Sequence, residues 1–212
     1  MAKKILSAGK LAEKAKWDRL TSDEIADVAQ RIKDIKPGNK EDLPCLIFAL
    51  GRSGADQYRE MVEKFLYYTS GEWVCIEALR ALCTYWCFTA DYLKELKMFI
   101  KGAEWDDTDD VRLWAMSIAG DFLKENYDRE LLYLLLEVFE NLGKSTSVRE
   151  IRDYARSLLQ SAAYEAIATA MGKKWNEIPD GDFIEAAIEN KQLDLLDLTV
   201  IQKAHQMIEK KN

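Results

Sequence analysis

Proline and glycine are scarce in this chain, at 3 and 10 of 212 residues. All-β folds need frequent turns, so the shortage argues against one. Histidine occurs once, at His205, which removes most His-based acid–base and triad schemes. The sequence has no run of 18 apolar residues, so no membrane span and no membrane partner are expected. The start, MAKKILSAGKLAEKAKWDRL, is basic but lacks the continuous apolar stretch of a secretory signal, and the expected location is cytoplasmic. Of the four cysteines, only Cys83 and Cys87 are close, at i,i+4, and there is no CxxC. That spacing does not suit zinc, so the expectation is reduced core thiols and no metal. Neither GxSxG nor HExxH occurs. Ser7-Ala8-Gly9-Lys10-Leu11 lacks the upstream glycine and the hydroxyl residue of a phosphate loop. No cofactor and no catalytic set are expected.

What is present is a globular composition, 48% hydrophobic and 32% charged, with a net charge of -7. Duplex-DNA binders carry a basic footprint, so the acidic balance points away from nucleic acid. It suits a basic protein partner, because complementary fields speed encounter. Periodicity predicts helices throughout. In TSDEIADVAQRIKDI, Ser22 or Asp23 can cap, and Ile25, Val28, Ala29 and Ile32 share a face. A helix over 42–52 follows, with Pro44 in its first turn. Others are predicted over about 56–69, 72–88, 91–102, 109–125, 128–143, 148–171, 182–190 and 193–210. Short connections imply antiparallel hairpins. Amphipathic segments such as DQYREMVEKFLYY alternate with nearly apolar ones such as VCIEALRALCTYW, which need cover on several sides.

Three of the second helices share a register: Val74-Cys75-Ile76-Glu77-Ala78, Val111-Arg112-Leu113-Trp114-Ala115 and Ile151-Arg152-Asp153-Tyr154-Ala155. Ala49-Leu50-Gly51-Arg52-Ser53-Gly54 closes an earlier copy, and the copies lie roughly 32–40 residues apart. Asp109-Asp110-Val111-Arg112 followed by Ala115, together with the ALGRSG ending, resembles the short bacterial form of the HEAT repeat over about residues 22–165. Cys75 stands where that pattern has arginine, and the earliest copy lacks the Val-Arg pair. The resemblance implies an all-α, right-handed α-solenoid of about five antiparallel helical pairs, a HEAT/ARM-like superhelix. The expected organisation is a basic leader or helix over 1–21, repeats over 22–171 and a capping pair over 172–212. It also implies that Arg112 and Arg152 pair structurally with acids in neighbouring turns.

Positions +3, +6 and +10 of this register fall on one helical face, which in a solenoid lines the binding surface. They are Glu77, Arg80 and Thr84, then Trp114, Ser117 and Asp121, then Tyr154, Ser157 and Ser161, with Cys45, Phe48 and Arg52 from the earliest copy. The run Glu104-Trp105-Asp106-Asp107-Thr108-Asp109-Asp110 adds a dense acidic turn. Asp107 or Thr108 can cap the next helix. The remaining acids are either a solvated turn or a docking surface for a basic partner. The expected contact set is Glu77, Arg80, Glu104, Trp105, Asp106, Asp107, Asp109, Trp114, Ser117, Asp121 and Tyr154. The N-terminal Lys3, Lys4, Lys10, Lys14, Lys16 and Arg19 form a basic leader. The resemblance extends to immunity proteins that neutralise basic nuclease toxins and to adaptor or assembly factors. It also admits an alternative, a HEAT-like alkylpurine DNA glycosylase with Asp110 as its acid beside Trp105 and Trp114.

Overall fold

The computed structural model describes residues 6–35, 42–69, 71–141 and 155–210. Those residues contain eleven α-helices and no strand. Among them, no helix is long and apolar enough to cross a membrane. The chain divides into two compact units, Met1–Tyr92 and Leu93–Asn212.

In the first unit, α1 (Ala8–Lys16) begins at Ser7, whose hydroxyl accepts from the Lys10 amide. Ala8, Leu11 and Ala15 form its buried stripe, at the i, i+3, i+7 spacing of one helical face. The described part of the basic leader is therefore an amphipathic helix, with Lys14 paired to Glu24 of α2; Lys3 and Lys4 lie outside the described residues. Helix α2 (Ser22–Asp34) starts one residue earlier than expected. Thr21 caps it through a capping box with Glu24, which satisfies two orphan amides reciprocally. Helix α3 (Leu43–Arg52) carries Pro44 in its first turn and packs against α1, α2 and α5.

The single helix expected over 56–69 is broken. A 3-10 turn at Asp56–Tyr58 leads into α4 (Arg59–Glu63), after which the amides of Phe65, Leu66 and Tyr68 each bond three residues back. The aromatic run there has low helix propensity, and the tighter turn prevails. Helix α5 (Glu72–Leu79) buries every residue from Val74 to Leu79, as a helix covered on several sides must. It continues as a π segment, Arg80–Tyr85, closed by Cys87 at a φ of 59°. Cys87 is exposed and Cys45 half-buried, so only Cys75 and Cys83 are core thiols.

The second unit opens with α6 (Leu93–Lys101), which stops at Gly102, where φ reaches 95°. Glycine takes that left-handed conformation without a Cβ clash. Helices α7 (Asp110–Glu125), α8 (Arg129–Asn141) and α9 (Arg156–Ala170) follow. Ile151 to Tyr154, the start of the third register copy, lie outside the described residues. Helix α10 (Gly181–Glu189) packs on α9, and α11 (Thr199–Lys210) packs on α8 and α9. The last expected helix divides at Asp197, whose carboxylate accepts from the Thr199 amide and hydroxyl and so starts α11 afresh.

The contact that fixes α7 on α9 is at Gly120. A Cβ there would lie 2.7 Å from the Ala166 carbonyl oxygen and 2.8 Å from its Cα. Both are backbone atoms that no rotamer change can move aside, so the helices can approach this closely only without that Cβ. Gly120→Ala is expected to destabilise the protein by about 1–3 kcal/mol. Urea denaturation should show a lower midpoint at unchanged slope, and an unchanged midpoint would show that the two helices can separate freely.

Candidate functional site

The acidic turn before α7 separates into inward and outward groups. Asp106 is 1% exposed. Its carboxylate accepts from the amides of Val111 at 3.3 Å and Arg112 at 3.1 Å. It thus takes the capping role that the sequence assigned to Asp107 or Thr108. Asp109, 4% exposed, adopts φ 60° immediately before α7 and lies 3.5 Å from the Arg112 guanidinium. Arg112 has no exposed surface, and its Nε donates to the Ile100 carbonyl at 2.8 Å. Asp106 and Asp109 are therefore internal, contrary to their expected place on a docking surface. The amides at a helix start and a buried cation both require acceptors. Glu104 and Asp107 remain exposed. Trp105 is half-buried, its ring edge-on to Phe99 at 6.2 Å.

Three register positions on α7, Trp114, Ser117 and Asp121, line one groove of about 620 Å³. Its opposite wall is the α9 face from Ala162 to Thr169, including Glu165, and the loop from Lys173 to Gly181 closes one end. Trp175 in that loop is 90% exposed. Lys173 is held 2.7 Å from Asp197, which lowers the Asp197 pKa to about 2. Asp180 caps α10 by accepting from the Asp182 amide. Burial pushes the Glu165 carboxyl above the usual range, and Asp180 and Glu185 push it the same way. Asp121 is also raised by desolvation, with Lys124 pulling in the opposite direction.

The third register copy meets a different fate. Ser157 is buried and donates to Glu189 of α10, and Ser161, 1% exposed, donates to the Gly181 carbonyl. Helix α10 covers that stretch of α9 and leaves Glu165 as its acid in the groove. Sequence reasoning missed Glu165 and Trp175. Glu165 lies one helical turn beyond Ser161, so extending the register would have found it, whereas no spacing rule reaches Trp175. Tyr154 lies outside the described residues.

In the first unit, two register copies are brought together. Phe48 meets Tyr85 edge-on at 6.1 Å. The Arg80 guanidinium lies 5.9 Å from the Phe48 ring and 5.4 Å from that of Tyr85, and Arg52 lies 5.5 Å from Tyr85. Glu77 accepts from Arg80 at 2.7 Å and is only 8% exposed, so its carboxyl is raised by burial against the pull of Arg80. Gly51 lets α3 approach this cluster, since a Cβ there would stand 2.8 Å from the Tyr85 ring and 2.9 Å from the Ala81 Cβ.

Asp110, the acid of the glycosylase alternative, is half-exposed at the start of α7 and accepts from Thr108 at 2.7 Å. Of the trio in that reading, Trp114 is the one lining the groove. Among the described residues, no group of three or more His, Cys, Asp or Glu is placed to hold a metal ion. No protein-family model, curated protein or solved structure matches the chain.

The division of the acidic turn predicts unequal costs. Asp106→Ala is expected to lose about 1–2 kcal/mol of stability through the lost cap, and Asp107→Ala no more than about 0.5 kcal/mol. Chemical denaturation of the two variants side by side checks this. Equal losses would show that the inward and outward acids have been misassigned.

Proposed function

We propose that this chain is a non-catalytic protein-binding module, a HEAT-type α-solenoid that acts as an immunity or inhibitor protein and neutralises a basic toxin or nuclease domain. The observation that carries the reading is the groove on the second unit, where Trp114, Ser117 and Asp121 lie on one wall opposite Glu165. A repeat register that places successive side chains on one concave surface is how solenoids build binding faces. A large ring beside carboxylates supplies the anchor and the polar specificity of an interface hot spot.

Charge supports the choice of partner. The chain carries -7 overall, and Glu104 and Asp107 add exposed negative charge at the N-terminal end of α7, the helix that bears Trp114. A basic partner would be steered to such a surface, and its association would weaken with salt. The burial pattern supports the solenoid. Helices α5, α7 and α9, which carry or follow the register, are buried on several sides, whereas α2 and α11 bury a single stripe.

Isothermal titration against a basic protein encoded by a neighbouring gene tests the reading. Binding should weaken as ionic strength rises, and Trp114→Ala should cost about 2 kcal/mol of affinity. Binding insensitive to both salt and the tryptophan, or no binding at all, would overturn it.

A further inference from the structure

The groove on the second unit is lined by two tryptophans, Trp114 and Trp175, and by three carboxylates, Asp121, Glu165 and Asp180. Glu165 and Asp121 make no ion pair among the described residues. Asp128 and Glu130 are bonded to Lys97 at 3.0 and 2.9 Å, and Asp197 holds Lys173. Asp180 is occupied with its own helix start. Of the lysines at the rim, Lys173 is therefore already engaged, while Lys124 stands one turn from Asp121 and Lys174 is exposed.

Gly181 borders Glu165 closely, since a Cβ there would stand 3.2 Å from the Glu165 Oε1 and a larger residue would make the end of that side chain shift. Trp175, at 90% exposed, leaves almost its whole ring free to cover an incoming group.

We propose that this groove receives an arginine side chain of the partner protein, with its guanidinium bonded to Glu165 and Asp121 and its flat face against Trp175. This rests on the protein-binding reading above and specifies the chemistry of its anchor. A planar guanidinium bonds carboxylates through a fixed fork of donors and stacks on aromatic faces, whereas an ammonium offers a compact point charge. Glu165 is half-buried and gains more from such a donor than a fully solvated acid does, while Asp121 stands exposed on the facing wall. The remaining lysines at the rim favour a single inserted arginine over a continuous basic strand, which they would repel.

The test compares two blocked tripeptides, N-acetyl-Gly-Arg-Gly-amide and its citrulline counterpart, which keeps the shape and loses the charge. The readout is the indole N–H signals of the tryptophans in a heteronuclear NMR titration. The arginine peptide should shift the Trp114 and Trp175 signals saturably and the citrulline peptide should not. Glu165→Gln should weaken the arginine peptide about tenfold, the usual loss when a charge-assisted pair becomes a neutral one. Trp175→Ala, at an exposed position that cannot unsettle the core, should weaken it too. The same Glu165→Gln variant is then titrated with the basic protein partner. If the partner's affinity depends on Trp114 but not on Glu165, and the two peptides behave alike, the arginine anchor is wrong and the protein-binding reading stands. If neither the partner nor the peptides bind, both fall.

Discussion

A guanidinium without access to solvent has to be held by acceptors, and Arg112 is such a group. Removing one partner of a buried charge leaves the other uncompensated, at a cost of several kcal/mol. Its Nε donates to the Ile100 carbonyl at the end of α6, and the Asp109 carboxylate lies 3.5 Å from its Nη1. The turn between α6 and α7 is thereby fixed from both ends. Asp106 completes it by bonding the first amides of α7. Once the start of α7 is fixed, helical geometry sets the direction of every later side chain. Trp114, Ser117 and Asp121 face the groove because Arg112 faces the interior. Gly120 determines the remaining variable, the distance from α7 to α9.

The same register yields different outcomes in the two units. In the first, the equivalent positions engage one another. Glu77 takes Arg80, and Arg80 and Arg52 lie against Phe48 and Tyr85. A face that already pairs its cations with its own acid and rings has less to gain from a ligand. In the second, Arg112 is turned inward, and Trp114, Ser117 and Asp121 line the groove. The difference traces to position +1, where Arg112 occupies the second copy and Cys75 the first. Cys75 donates to the Leu66 carbonyl, a weak bond that asks for no counter-charge. Where the internal arginine is present, it draws Asp109 into the interior, and the outward face is left with its own acids.

Helix content and the shared face were legible in the sequence because both follow from spacing. Residues at 114, 117 and 121 must lie on one side of any α-helix, whatever surrounds it. The acidic turn was not legible in the same way. Five acids in seven residues look alike until it is known which of them approaches an amide or a guanidinium, and that depends on a loop conformation that includes an aspartate at φ 60°. Nor could spacing anticipate the π segment after Leu79, where the hydrogen-bond register slips within an otherwise helical pattern, or the break at Asp197, where capping by the side chain outcompetes continuation of the helix.

Glu165 shows where pattern reading stops. Its position on α9 lies one turn beyond Ser161, yet its environment is made by α10 and by the loop that carries Trp175. Helix α10 buries Ser157 and Ser161 and ends its cover at a glycine. A Cβ at 181 would stand 3.2 Å from the Glu165 carboxylate. The groove is therefore a joint product, with α7 and α9 supplying its walls and the loop from Lys173 to Gly181 supplying its boundary. Specificity in such a site resides more in the boundary than in the helices. Helical spacing dictates only that some side chain points outward at each position, whereas the boundary determines which of them a partner can reach.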